Sequence, residues 1–305
     1  KETVARCFSK NYATANGLSR TGYSIGLFVY APLAQLFLNT YGWRGTMLLT
    51  GAISLHLVVC GCLMVTARLP RPNSHDYEVI NQDDQTQPTH RRQHATFLLC
   101  SGTFWKQTSN NFDLELLVNA RYWAVALVYC CSSYAFTMWV VYFVSLAQSS
   151  GFSLEDASTM VTVAGAASLI AKVLQGIITD KRLMSTWSLL FICTSFNSVA
   201  YCASSWLTSY WALMTSAVLI LFSDGIISCQ YDVLTRDTLG VDLVAGAFGW
   251  ISLKGSLILL FVGFVPGLLY DVTGSYVGGF LLIGGAQAVP VVALLVLKRL
   301  GNPAQ

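Results

Sequence analysis

Ser168, Lys172, Gln175 and Thr179 follow one another at spacings of four, three and four inside an otherwise apolar run from Ser158 to Thr179. On a helix of 3.6 residues per turn these positions share one face, and Leu169, Ile170, Val173, Leu174 and Ile177 take the rest. An ammonium facing hydrocarbon costs about 2.5–3.5 kcal/mol or more. Lys172 therefore either stretches its stem back to the headgroups or faces a wet interior, and its hydroxyl and amide neighbours favour the interior. There it would attract an anion. Asp224, with Ser228 and Tyr231 continuing its face, is the matching carboxylate, and both charges lie about seven residues from the same end of their helices. Asp224 is either half of a structural ion pair or a group that carries a proton or gates a substrate, and it is expected to pair with Lys172 when the cavity is empty. Lys254 lies too deep to reach headgroups, so it needs a partner, with Asp224 and a substrate equal candidates. Arg20 reads as an interfacial anchor and His56 as a hydrogen-bonded packing residue.

The elements that must hold these groups are set by composition. Of the 305 residues 54% are hydrophobic and 11% charged, against about 25% charged in soluble domains; the class is an all-α, polytopic membrane protein. Most of the nine cysteines fall in or at the ends of apolar runs, where the thiol acts as a small hydrophobe, so neither a disulfide framework nor a zinc site is expected. No nucleotide cradle is present, which counts against ATP-driven transport. Tyr231-Asp232 lacks the partner Gly-x-Gly-Asp of an intramembrane aspartyl protease. No enzyme activity, cofactor, metal or nucleic-acid partner is expected.

Eight apolar spans are predicted: about Thr21 to Leu38, Thr46 to Val65, Tyr122 to Ala147, Ser158 to Thr179, Thr186 to Ala203, Leu207 to Gln230, Leu243 to Leu269 and Val277 to Leu297. Tyr41 to Gly45 is a short interfacial turn between the first two. From Arg71 to His94 the sequence has almost no aliphatics and the composition of a disordered segment, and Phe97 to Trp105 is a candidate surface patch. If Lys1 is cytoplasmic, alternation leaves Arg44 alone among the basic residues outside the spans on the far side, and both termini are expected to be cytoplasmic. The predicted units are residues 1–66, a two-helix remnant of an N-terminal bundle; 67–120, a cytoplasmic loop; and 121–300, a six-helix C-terminal bundle. The chain begins at Lys1 as though cut from something longer.

Tyr41-Gly42-Trp43-Arg44-Gly45, the run from Ala5 to Gly17 before it, and Gly267 to Tyr276 between the last two spans resemble the monocarboxylate transporter family of the major facilitator superfamily. Phe112 to Leu117 and Asp237 to Gly240 are similar as well. The resemblance runs from the family's fourth-to-fifth-helix loop to its end. It implies a major facilitator helical bundle with about eight of twelve helices present (family helices five to twelve), two bundles around a central cavity, and transport of small organic anions such as monocarboxylates by alternating access. It also implies protons as a candidate co-substrate, a single-span accessory glycoprotein for some members, and the plasma membrane as the site of action. The alternative is a truncated, non-transporting fragment of such a protein. Lactate-carrying members place an acid and an arginine four apart on the eighth helix, and the matching positions here are Ser168 and Lys172; the missing acid counts against lactate-type proton coupling. Lys172, Ser168, Asp224 and Lys254 are the expected substrate-binding residues. Gly176 to Lys181 is similar to the superfamily's loop signature, in which a short acid caps a neighbouring helix, so Asp180 and Lys181 are the expected gate. The alternative for this segment is a plain polar turn.

Overall fold

The structure is a computed structural model and describes residues 11–60, 114–240 and 243–299. Eight helices carry it: α1 Tyr12–Ser54, α2 Ala120–Ser149, α3 Leu154–Asp180, α4 Thr186–Ser204, α5 Tyr210–Leu239, α6 Val244–Val262, α7 Val265–Thr273 and α8 Val277–Arg299, with a 3-10 turn at Leu114–Val118 before α2. The helix ends are written locally. Ser153 and Asp156 form a reciprocal capping box at the start of α3, and Ser185 and Asn119 cap α4 and α2. Such caps satisfy amides that a helix start leaves unpaired. α5 stops at Gly240 and α7 at Gly274, whose φ values of 82° and 67° suit glycine far better than any L side chain.

α1 is a hairpin. Gly42 adopts φ 64, ψ −178 inside an otherwise helical run. Tyr30 and Thr50 share a hydroxyl hydrogen bond of 2.6 Å, whereas twenty residues of straight helix would hold them about 30 Å apart. The chain therefore folds back at the turn expected over Tyr41 to Gly45.

Among the described residues six helical stretches are long and apolar enough to cross a membrane: Leu33–Cys60, Ala120–Ser149, Leu154–Asp180, Tyr210–Leu239, Gly246–Thr273 and Val277–Arg299. This corrects the expected count of eight. The first of these stretches runs through the reversal at Gly42 and so takes in parts of both arms of α1, where two spans were expected, and the second of those continues past the described residues. α4 is a 19-residue helix that spends its length on Ser188, Thr194, Ser195, Asn197, Ser198 and Ser204. The expected break between residues 67 and 120, including the surface patch at Phe97 to Trp105, lies almost wholly outside the described residues.

α3 packs along both α1 and α5, and α8 along α2 and α4. Two large clusters, with a small third one of Tyr12, Ala13 and Val233, make up the apolar core among the described residues. One gathers Tyr122, Val128, Ala171, Leu190, Ile227 and Leu294 at the end where α2 begins; the other gathers Trp139, Phe143, Met160, Tyr201, Ile220 and Phe280 toward the opposite end. Between them each of five helices places polar side chains: Ser132 on α2, Ser168 on α3, Thr194 and Asn197 on α4, Ser223 on α5 and Gln287 on α8, all buried. A polar layer between two apolar ones puts the water-compatible side chains near mid-depth of the bundle.

Candidate functional site

A cavity of about 210 Å³ opens at this level between α1, α2, α3 and α5. Arg20 and Tyr23 enter it from α1, Lys172 from α3, and Asp224, Ser228 and Tyr231 from α5. The α2 wall is Tyr129, Ser132, Ser133, Phe136 and Thr137, a stripe at helical spacing. That stripe was legible in the Tyr122 to Ala147 span and was missed, because hydroxyls and aromatics do not stand out there as a buried charge does.

Lys172 is 4% exposed. Its ammonium donates to Ser24 Oγ at 2.6 Å and stands 5.1 Å over the Tyr23 ring, within reach of a cation–π attraction. Ser24 and Ser168 share a hydroxyl contact of 3.4 Å. Ser168 therefore braces the partner of Lys172 and is not itself on the cavity wall. Asp224 lies on the same cavity and within electrostatic reach of both Lys172 and Arg20, but among the described residues it forms no ion pair. The expected Lys172–Asp224 pair in the empty cavity is thus corrected: Lys172 is held by a neutral hydroxyl from α1.

Arg20 also departs from expectation. It is no headgroup anchor: its Nε and Nη2 donate to Asp232 Oδ2 and Oδ1 at 2.6 and 2.9 Å, a fork-to-carboxylate pair of the strong, oriented kind. Asp232 is fully buried and the Arg20 side chain 22% exposed. Lys254 is absent from the cavity wall. Its ammonium sits 3.7 Å from the Trp123 ring centroid and 4.4 Å from that of Tyr122, and it donates to the Tyr122 hydroxyl at 3.0 Å. A helical side chain leans toward its own N-terminus, which lets Lys254 reach the start of α2. Neither Asp224 nor a substrate is required to satisfy it.

Below the cavity, toward the end predicted to be cytoplasmic, α1 is fastened to α3 and α5. The Asp180 carboxylate accepts from the amides of Ala13 and Thr14 at 3.2 and 2.8 Å, capping the N-terminus of α1. Gln175 donates to the Ala13 carbonyl at 3.4 Å, Asn16 donates to the Cys229 carbonyl at 3.2 Å, and Arg236 stacks 4.3 Å over Tyr12. Gln230 joins Gln175 to Thr179. Close approach is possible because Gly17 and Gly176 face the seam: an added Cβ would stand 2.4 Å from the Lys172 carbonyl oxygen and 2.6 Å from Thr14 Cα. Lys181 is exposed, and its side chain has no partner among the described residues.

The family model for the Major Facilitator Superfamily matches residues 3–263. Monocarboxylate transporter 12 of Rattus norvegicus is 26% identical over 95% of this chain and 60% of its own length. Monocarboxylate transporter 13 of Rattus norvegicus is 28% identical over 92% and 58%, and Monocarboxylate transporter 14 of Homo sapiens 23% over 96% and 67%. The chain spans about 60% of the length of the first of these curated relatives. The resemblance read from the motifs agrees with these relatives. The chain, a multi-pass membrane protein, belongs to the Major Facilitator Superfamily.

Proposed function

We propose that this protein is a transporter of small organic anions such as monocarboxylates, working by alternating access in the plasma membrane. The observation that carries the reading is Lys172: an ammonium 4% exposed, on a cavity wall, with a neutral hydroxyl as its hydrogen-bond partner. A carboxylate arriving there exchanges a neutral contact for a charge-assisted one. The cavity volume falls below the ~300–1,000 Å³ of drug-sized sites, which suits a small solute. Asp224 is the group that would take up a proton if transport is proton-coupled, and a single-span glycoprotein is the accessory partner implied by the resemblance. The fastening of α1 to α3 and α5 closes the predicted cytoplasmic end. Asp180 and the Arg20–Asp232 pair are its gate; Lys181 contributes positive charge at the rim.

Uptake of labelled organic acids by cells expressing the protein tests the site. Lys172→Gln should abolish saturable uptake while protein remains at the surface, and Lys172→Arg should keep part of it, since charge survives while geometry changes. Uptake by Lys172→Gln at the parent's rate and affinity would make Lys172 a structural cation and end this reading.

A further inference from the structure

Away from the central cavity, basic residues crowd the corner where α3 hands over to α4 and α8 ends. Lys181 and Arg182 lie in the link between Asp180 and Thr186, and Lys298 and Arg299 are the last two residues of α8. Two contacts bring these pairs to one place. Trp187, in the first turn of α4, donates its indole N–H to the Leu294 carbonyl at 3.0 Å, and the Lys298 ammonium stands 4.2 Å from the centroid of the same ring. The link is held close to that ring as well. The amides of Arg182 and Leu183 donate back to the Thr179 and Ile178 carbonyls at 3.0 Å each, and Met184 and Trp187 pack on the same core cluster. All four cations are exposed, and among the described residues none forms an ion pair. Asp180, the acid beside them in sequence, is taken by the amides of Ala13 and Thr14. An aromatic face attracts Lys298 but brings no counter-charge.

We propose that this corner seats the headgroup of an anionic phospholipid, its phosphate and acidic headgroup held between Lys298 and the Lys181–Arg182 link. The corner lies at the end predicted to be cytoplasmic, and the cytoplasmic leaflet carries the acidic lipids. Both levels of a lipid are answered. Further along the two helices the outward side chains are apolar: Ile192 and Phe196 on α4 and Val292 and Val296 on α8 are all at least 42% exposed. A soluble anion would use the cations and leave that wall without a role, whereas acyl chains cover it. Trp187 adds a ring with an apolar body and a polar edge, the kind that settles at headgroup depth. No residue of α4 or α8 lines the central cavity, so the lipid seat is independent of the substrate reading. A headgroup there would brace the link beside the Asp180 cap.

Native mass spectrometry of the purified protein in detergent tests the proposal, with phosphatidylserine and phosphatidylcholine of matched acyl chains as the probes. Phosphatidylserine should be retained in preference to phosphatidylcholine. Arg182→Gln and Lys298→Gln should each weaken that retention about fivefold, the worth of one basic residue at an acidic membrane surface. Arg44→Gln, predicted to lie on the opposite side of the membrane, should leave it unchanged. Equal retention of the two lipids would overturn the seat, and so would a loss in Arg44→Gln as large as that in Lys298→Gln, since charge anywhere on the protein would then suffice. Glycerophosphoserine or inorganic phosphate displacing the lipid at equal concentration would overturn the lipid as occupant and assign the corner to a soluble phosphate.

Discussion

Lys172 and Ser24 meet at 2.6 Å across the seam between α3 and α1, so the one lysine ammonium that the described residues place on the cavity wall is tied to a different helix from its own. Under the proposed function, a substrate carboxylate would compete with α1 for the same donor. A carboxylate that captured Lys172 would weaken one tie between α1 and α3, and so would couple occupancy to opening through a named contact if the protein works as proposed.

The Arg20–Asp232 pair should show asymmetric dependence. Arg20→Gln removes the bidentate partner of a fully buried carboxylate and should cost about 3–5 kcal/mol. Asp232→Asn should cost less, because the Arg20 side chain is 22% exposed and can hydrate. The double variant should be milder than the sum of the singles. Denaturation in detergent measures all three, and strict additivity would show that the two residues do not act together.

Asp180 and Lys181, adjacent in sequence, should behave differently. Asp180→Ala removes the acceptor for two amides of α1 and should cost about 0.5–2 kcal/mol, with Asp180→Asn keeping part of it. Lys181→Ala should lie within about 0.5 kcal/mol of the parent, as surface changes do. Equal losses at both positions would mean that charge at the rim, and not the cap, holds α1.

Gly176→Ala places a methyl against the backbone of α1, 2.6 Å from Thr14 Cα, and should cost about 1–3 kcal/mol through overpacking. Gly165→Ala, on the same helix but with nothing within 4 Å, should be neutral or stabilise by about 0.5–1 kcal/mol through helix propensity. A cysteine cross-link between α1 and α3 reports the seam directly: its yield should fall for Gly176→Ala and hold for Gly165→Ala.

Lys254→Gln should lower stability and leave the transport KM within about twofold, since the ammonium is occupied by Trp123 and Tyr122 and a partly exposed cation–π contact is worth about 0.5–1 kcal/mol. Trp123→Leu should reproduce the stability loss. A large KM change in Lys254→Gln with unchanged stability would return Lys254 to the substrate site.

How much of this was legible depended on whether a signal was periodic. The stripe from Ser168 to Thr179 and the continuation from Asp224 through Ser228 to Tyr231 repeat at helical spacing, and their faces do turn to the seam and the cavity. Gly42 marks the reversal by its type. Partnerships between distant helices leave no such trace: Arg20 and Asp232 lie 212 positions apart, and Lys254 and Tyr122 lie 132 apart. Read alone, Arg20 looks like a cation at a membrane edge and Asp232 like an acid at a helix end. Nor can spacing show that Lys172 takes Ser24 in place of Asp224, because that choice is made by the approach of two backbones at Gly17 and Gly176.

The Asp180 cap, the Arg20–Asp232 fork and the glycine seam all sit at one end of α1, and under alternating access every one must part and re-form in each turnover. Such contacts cannot be selected for strength alone. Each added 1.36 kcal/mol that is lost on opening slows that step about tenfold, so the same seam that fixes resting stability also acts as a clock. A variant with a tighter seam would be a sturdier protein and a slower one.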